Sequence, residues 1–288
     1  MSGEEAVGPT SPHDQGIRML YSRWARSMIR RTTILVLFII GVGAAAVAET
    51  RRNPDIVDRG SVRDVVDGDT VILDSATQVR LVGIQAPKLA LGRPGFRSWP
   101  LAEESKALLK ILTLGKTLRL SYGGRRIDRH GRLLAHLEDA EGRWIQGEML
   151  SAGLARVYSF ADNRSRISDM LALEQEARAV ALGIWWNSYY NVRSATETPK
   201  FIDTFQIVEG RIVSAAVVRR RGYLNFGGDW RSDFTVTIAP RFRRLFERAG
   251  LAIGAYEGKR VRVRGWLKSF NGPMIEATHP EQIELLSE

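Results

Sequence analysis

The sequence contains no cysteine, which rules out a disulfide framework, a thiolate nucleophile and any thiolate metal site. Histidine is scarce as well. No two of His13, His130, His136 and His279 share ligand spacing on an expected helix, which argues against a histidine-built zinc centre. Negative charge is short relative to positive: 32 Asp and Glu face 42 Lys and Arg, a formal net charge of +10, and the isoelectric point is near 10.2. Hydrophobic residues at 44% and charged residues at 26% are ordinary globular values. The 288 residues suffice for one large domain or two modest ones. A basic surface attracts polyanions, with nucleic acid and anionic lipid the obvious partners.

The first 48 residues stand apart. Arg18, Arg23, Arg26, Arg30 and Arg31 precede an apolar run, Ile34 to Val47, that ends in Ala46-Val47-Ala48. A positive flank, a short apolar stretch and a small-x-small end are the layout of a secretory signal peptide, and a start at Met28 gives one of ordinary length. The run falls short of the roughly 20 residues that span a bilayer. Export with cleavage is the favoured expectation, with the folded part periplasmic or secreted. The alternative is an uncleaved inner-membrane anchor, the only membrane contact expected, with the folded domains still outside the cytoplasm. Residues 1–48 hold five basic and three acidic residues, so the remainder keeps a formal charge of +8. The basicity belongs to the folded part.

Residues 49–61 read as a linker. From Val62 onward short β patterns follow one another, with Asp67-Gly68-Asp69 and Asp74-Ser75-Ala76-Thr77 as turns and strands over 70–73 and 79–84. Helical spacing spans 102–114, strands 117–122 and 132–138 come next, and helices are expected over 145–152 and 168–182. Residues 187–203 are polar and aromatic without periodicity, and read as a second linker. A new β set covers 205–213, 223–226 and 234–238, a basic amphipathic helix 240–249, and two last strands 260–267 and 274–277, joined by Asn271-Gly272. Three strands, a helix and two strands are the order of an OB-type barrel. The chain therefore reads as mainly β with α, an α+β protein of two tandem OB-fold-like five-stranded barrels, over 62–186 and 204–288.

Five ordered motifs fall in the first half. These are Val65-Val66-Asp67-Gly68-Asp69-Thr70-Val71, Val79-Arg80-Leu81-Val82-Gly83-Ile84-Gln85-Ala86-Pro87, Asp128-Arg129-His130-Gly131-Arg132, Gly153-Leu154-Ala155-Arg156-Val157-Tyr158, and the stretch Glu174 to Trp185 with its Glu-x-x-Ala-Arg and Gly-Ile-Trp. Together they resemble the thermonuclease (micrococcal nuclease) family over about residues 62–186. The resemblance implies hydrolysis of phosphodiester bonds in DNA or RNA. It also implies Arg80 and Arg132 as the catalytic pair gripping the scissile phosphate, a task that suits planar guanidinium. Asp69 matches a ligand position for calcium, the family's usual cofactor. Asp67 reads as the turn aspartate.

The sequence departs from the family where an Asp-x-Pro-Glu motif is expected and Gln85-Ala86-Pro87-Lys88 stands. A neutral amide replaces a ligand acid, although Gln85 keeps a carbonyl oxygen, and a cation replaces the carboxylate that faces the attacking water. Lys88 beside Arg80 would repel a metal. Three alternatives are open: Glu103 or Glu104 swings a carboxylate in, Lys88 supplies the metal's charge itself, or the site only binds. Lys88, Arg93, Arg97, Trp99 and Arg129 are the expected substrate contacts, the loop residues clamping a phosphate and stacking a base. In the second barrel Arg220, Arg221, Tyr223, Phe226 and Trp230 mark an expected nucleic-acid face. Three readings stay open: an exported or anchored nuclease, a degenerate relative that binds nucleic acid or another polyanion, and an envelope protein-interaction module.

Overall fold

The computed structural model describes residues 56–287. The leader, with its anchor alternative, and the start of the 49–61 linker lie outside the described residues. Among the described residues no helix is long and apolar enough to cross a membrane.

Strand β1 (Ile56–Asp67) begins six residues before the expected start of the domain, so 56–61 belong to the barrel. It pairs with β2 (Thr70–Leu73), which pairs with β3 (Gln78–Leu81). Gly83 takes a φ of 84° and separates β3 from β4 (Ile84–Gln85), so the strand expected over 79–84 is two pieces. Helix α1 (Ala102–Thr113) follows, then β5 (Thr117–Ser121) and β6 (Leu133–Glu138). The ring β1-β2-β3-β6-β5 is a closed barrel, with β3 and β6 its parallel pair. Period-2 alternation buries Val62, Val65, Val71, Val79, Leu81, Leu118, Leu120, Ala135 and Leu137 inside. Helix α2 (Ile145–Ser151), strand β7 (Arg156–Val157) and helix α3 (Ile167–Ala179) pack against the barrel, β7 pairing with β4. The Gly153 and Gly183 motifs meet backbone to backbone. A Cβ on Gly153 would lie 2.2 Å from the Leu182 carbonyl oxygen, and one on Gly183 2.2 Å from that of Gly153.

Residues 187–203, expected as a linker, are ordered. Turns of 3-10 helix surround β8 (Arg193–Ser194), and Tyr190 is buried with its hydroxyl donating to the Pro100 carbonyl at 2.7 Å. The C-terminal half holds β9 (Phe205–Arg211), β10 (Ser214–Val218), β11 (Arg221–Asn225), β12 (Thr235–Ile238), helix α4 (Pro240–Arg248), β13 (Arg260–Trp266), β14 (Lys268–Ser269), β15 (Pro273–Glu276) and β16 (Ile283–Leu285). As β3 pairs with β6 in the first half, β12 pairs with β15 in parallel, and β8 with β9 is a second parallel pair. The hydrogen bonds of the C-terminal half divide between two sheets, β10-β11-β12-β15-β14 and β16-β13-β9-β8, where the first half forms one ring.

The two halves meet along a buried seam. Glu174 of α3 is fully buried and pairs with Arg264 of β13 at 2.9 Å, with Arg178 at 2.9 Å, and donates nothing itself. Arg264 also meets Glu284 at 2.5 Å. Ala177, Ile184, Trp185, Tyr190 and Ile207 form an apolar cluster beside it. Residues 54–288 are accordingly one compact unit.

Candidate functional site

Asp67-Gly68-Asp69 turns the chain between β1 and β2. Gly68 has no room for a side chain, because a Cβ there would lie 2.0 Å from Ser105 Oγ on α1 and 2.7 Å from the Ala86 Cβ. Asp67 fills its expected turn role, accepting the Asp69 amide at 3.2 Å. The tight turn sends the Asp69 carboxylate into the protein, where it is fully buried. There the Ala86 amide donates to it at 2.8 Å, Arg80 approaches at 3.1 Å, and Lys88 Nζ donates to both of its oxygens at 2.7 Å. Lys88 also reaches Asp67 Oδ2 at 3.3 Å.

These neighbours set the charge states. Burial pushes the Asp69 pKa up, but the Arg80 and Lys88 charges and the Ala86 amide together outweigh it and hold the pKa at about 2. Asp67 moves the other way: burial and the adjacent Asp69 raise it above the usual 3.8, against the pull of Lys88 and Arg80.

Arg80 does not present its guanidinium as an open fork. It donates to the carbonyls of Leu81 at 2.6 Å, Ile84 at 2.7 Å and Asp69 at 3.3 Å, and only 11% of the side chain is exposed. The donors of Arg80, expected on phosphate, staple the turn into β4 in this structure. Arg132 is more accessible, at 28%. Its Nε donates to Asp128 at 2.8 Å, and Asp128 in turn accepts the His130 and Arg132 amides at 2.8 and 3.0 Å, which shapes the loop. Leu134 is the register partner of Arg80. Arg132 lies just before β6, two residues ahead of Leu134. Each arginine is held by its own aspartate, Arg80 by Asp69 and Arg132 by Asp128.

The donor set does not fit calcium. The Lys88 ammonium already sits between Asp67 and Asp69. Gln85, the doubtful second ligand, spends its Oε1 on Arg156, which donates from two nitrogens at 3.0 and 2.7 Å. Among the described residues no group of three acidic, histidine or cysteine side chains could surround a metal. Asp69, expected as a ligand, meets two internal cations in this structure, Arg80 and Lys88.

Arg156 was not foreseen. It is buried under the rings of Phe205 (4.6 Å), Trp99 (5.8 Å) and Tyr190 (5.9 Å), and burial draws its pKa down to about 10. The signal for it was the amide at 85, which leaves a buried guanidinium room to bond without a carboxylate. The loop residues expected as a clamp take separate places. Arg93 folds back onto its own loop, stacking on Phe96 at 3.9 Å and donating to the Leu89 and Ala90 carbonyls. Trp99 packs against Tyr189 and the apolar cluster at the seam. Arg97 is exposed, and so is Arg129, whose Nε lies 3.0 Å from His130 Nε2.

In the C-terminal half Tyr223 and Trp230 line an open groove, and Arg221 lies on the same face of β11 as Tyr223. Arg220 is exposed at the β10–β11 turn. Phe226 is half-buried against the core, packed on Phe234 with ring centroids 4.8 Å apart.

Residues 78–187 match the family described as Staphylococcal nuclease homologue. The SPbeta prophage-derived endonuclease YokF of Bacillus subtilis (strain 168) is 33% identical over 43% of this chain, which spans only 43% of that relative. The Thermonuclease of Staphylococcus intermedius is 29% identical over 43% of this chain and 74% of its own length. Protein ParB of Escherichia coli is 30% identical over 57% of this chain and 86% of its own length.

Proposed function

Because the chain belongs to the staphylococcal nuclease homologue family, we propose that its barrel mouth hydrolyses phosphodiester bonds of DNA or RNA, and does so without calcium. One observation carries this reading: the Lys88 ammonium lies between Asp67 and Asp69, where it supplies a fixed positive charge. In this reading Arg132, the more accessible guanidinium, offsets the charge that builds on the pentacovalent phosphorus. Asp67, whose pKa is raised, takes the proton from water as the water oxygen bonds to phosphorus and the bond to the sugar oxygen breaks, and the departing oxygen takes up a proton from solvent to leave as an alcohol. The basic balance of the chain draws the substrate in.

The test incubates the full chain with single-stranded DNA and RNA, first with calcium and then with chelator. Equal cleavage in both, abolished in Arg132→Ala, supports the reading, and cleavage that needs calcium overturns it. A second reading, binding without turnover, is favoured by the donors of Arg80 and Lys88, which are already spent on protein acceptors. Salt-sensitive binding with no cleavage would establish it. No binding at low salt would leave the envelope interaction role. The reading also includes two features outside the described residues or beyond the closed barrel: export through residues 1–48, checked by the mature N-terminus, and an OB-type origin for the C-terminal half.

A further inference from the structure

The outer face of the sheet β10-β11-β12-β15-β14 carries a groove of about 420 Å³. Strand alternation builds it. Leu224, Val236 and Ile275 point into the core, while Tyr223, Thr235, Thr237 and Met274 point out to line the floor. Two aromatic side chains stand over it that the core does not use: Trp230 is 49% exposed and Phe270 67% exposed. Arg231 lies over the Trp230 ring at 4.4 Å. Asn225 and Asn271 add hydrogen-bonding groups among the apolar atoms.

The opposite end is basic. Arg219 and Arg220 form the two-residue turn between β10 and β11 with φ of 46° and 69°. Such a turn favours Asn-Gly, since a Cβ is strained in that conformation. The chain uses Asn271-Gly272 in the other hairpin of this sheet. At 219–220 it keeps two arginines at the expense of strain. The α4 residue Arg243 donates to the Arg220 carbonyl at 3.5 Å, which brings the cations of that helix to the same end. Lys268 is the register partner of Met274 and shares its face.

We propose that this groove binds single-stranded nucleic acid, with bases stacked on Trp230 and Phe270 and phosphates held by Arg219, Arg220, Arg221 and Lys268. Exposed rings beside cations suit a strand whose every unit pairs a π-face with a charge. A duplex keeps its bases stacked internally and offers the rings nothing. The site is separate from the barrel mouth and does not depend on hydrolysis there.

The test uses the full chain, in chelator and in an Arg132→Ala background, with a fluorescein-labelled oligothymidylate of about ten nucleotides read by anisotropy. Trp230→Ala and Phe270→Ala should each raise Kd about tenfold, the scale of one lost base stack, with unchanged melting because both rings are exposed. Arg220→Gly relieves the turn while removing a charge, and should weaken binding and lower the salt slope by about one. Unaltered affinity in both aromatic variants, equal competition by duplex of the same length, or no binding at low salt overturns the proposal. Failure here with cleavage intact in the native chain leaves the barrel-mouth reading standing, and loss of cleavage with binding intact does the reverse.

Discussion

Two clusters of carboxylates and cations differ in how their positive charge is supplied. At the seam, Glu174 is met by Arg264, itself 1% exposed and bonded to Glu174 and Glu284 from several nitrogens. At the barrel mouth, Asp69 is equally buried, but part of its charge balance comes from Lys88, which is 22% exposed. Guanidinium is a planar fork suited to burial, whereas ammonium is a compact point charge on a flexible stem. The seam cluster is therefore a structural clamp joining the two halves. The mouth cluster instead holds part of its positive charge on a partly accessible ammonium.

The sharpest way to break this comparison is to remove each cation in turn. Arg264→Met strands Glu174 without its principal partner and should lower unfolding free energy by about 3–5 kcal/mol. Lys88→Met leaves Arg80 and the Ala86 amide on Asp69 and should cost about 1–2 kcal/mol. Urea unfolding measures both, and equal losses would erase the distinction. Next in size is charge reversal. Lys88→Glu gathers a third carboxylate beside Asp67 and Asp69, so calcium at about a hundred times its Kd should stabilise this variant by about 2.7 kcal/mol and raise its Tm. The native protein should show no such shift. A calcium-dependent rise in the native protein would mean that Lys88 yields its place to the metal.

The barrel was legible because its strands alternate and its turn residues are distinctive: Val62, Val65, Val71 and Val79 face inward as their spacing implies. Residues 187–203 were not legible, since Tyr190 is held by one hydroxyl bond to Pro100 and by ring packing, neither of which leaves a period. β10 escaped notice for a related reason: Ser214–Val218 is small or apolar throughout, with no alternation of character. At the site, residue types were readable and directions were not. The swap to Lys88 showed in the sequence that a cation stands beside Asp67 and Asp69, where the structure has it. The inward turn of Arg80 did not show, because its acceptors are backbone carbonyls that any residue at 81 or 84 would offer. Phe270 and Lys268, which flank the groove, carry no signal in sequence beyond an ordinary hairpin.

The smallest expected effect refines the view of Lys88 as a replaceable charge. Asp69 has a pKa of about 2 in the folded protein against an ordinary 3.8. Its stabilising contribution is therefore complete above pH 3.8 and is lost as pH falls toward 2, because the unfolded chain binds a proton first. Lys88 also pulls Asp67 down, although burial and Asp69 keep that pKa above 3.8. Removing Lys88 lets both carboxylates bind protons more readily in the folded state. The stability advantage of the native protein over Lys88→Met should then be about 1 kcal/mol or slightly more near neutrality and should shrink steadily as pH falls through the range where Asp67, and then Asp69, bind protons, beginning above pH 3.8. His136 and His279, buried with pKa values drawn down to about 3 and 4, also lose stability in acid, but both proteins contain them and their contribution cancels in the difference. Paired urea titrations at stepped pH would read that difference directly. An advantage that stays constant down to pH 2 would mean that Lys88 acts through the packing of its stem and not through its charge, and the likeness to a metal position would lose its physical basis.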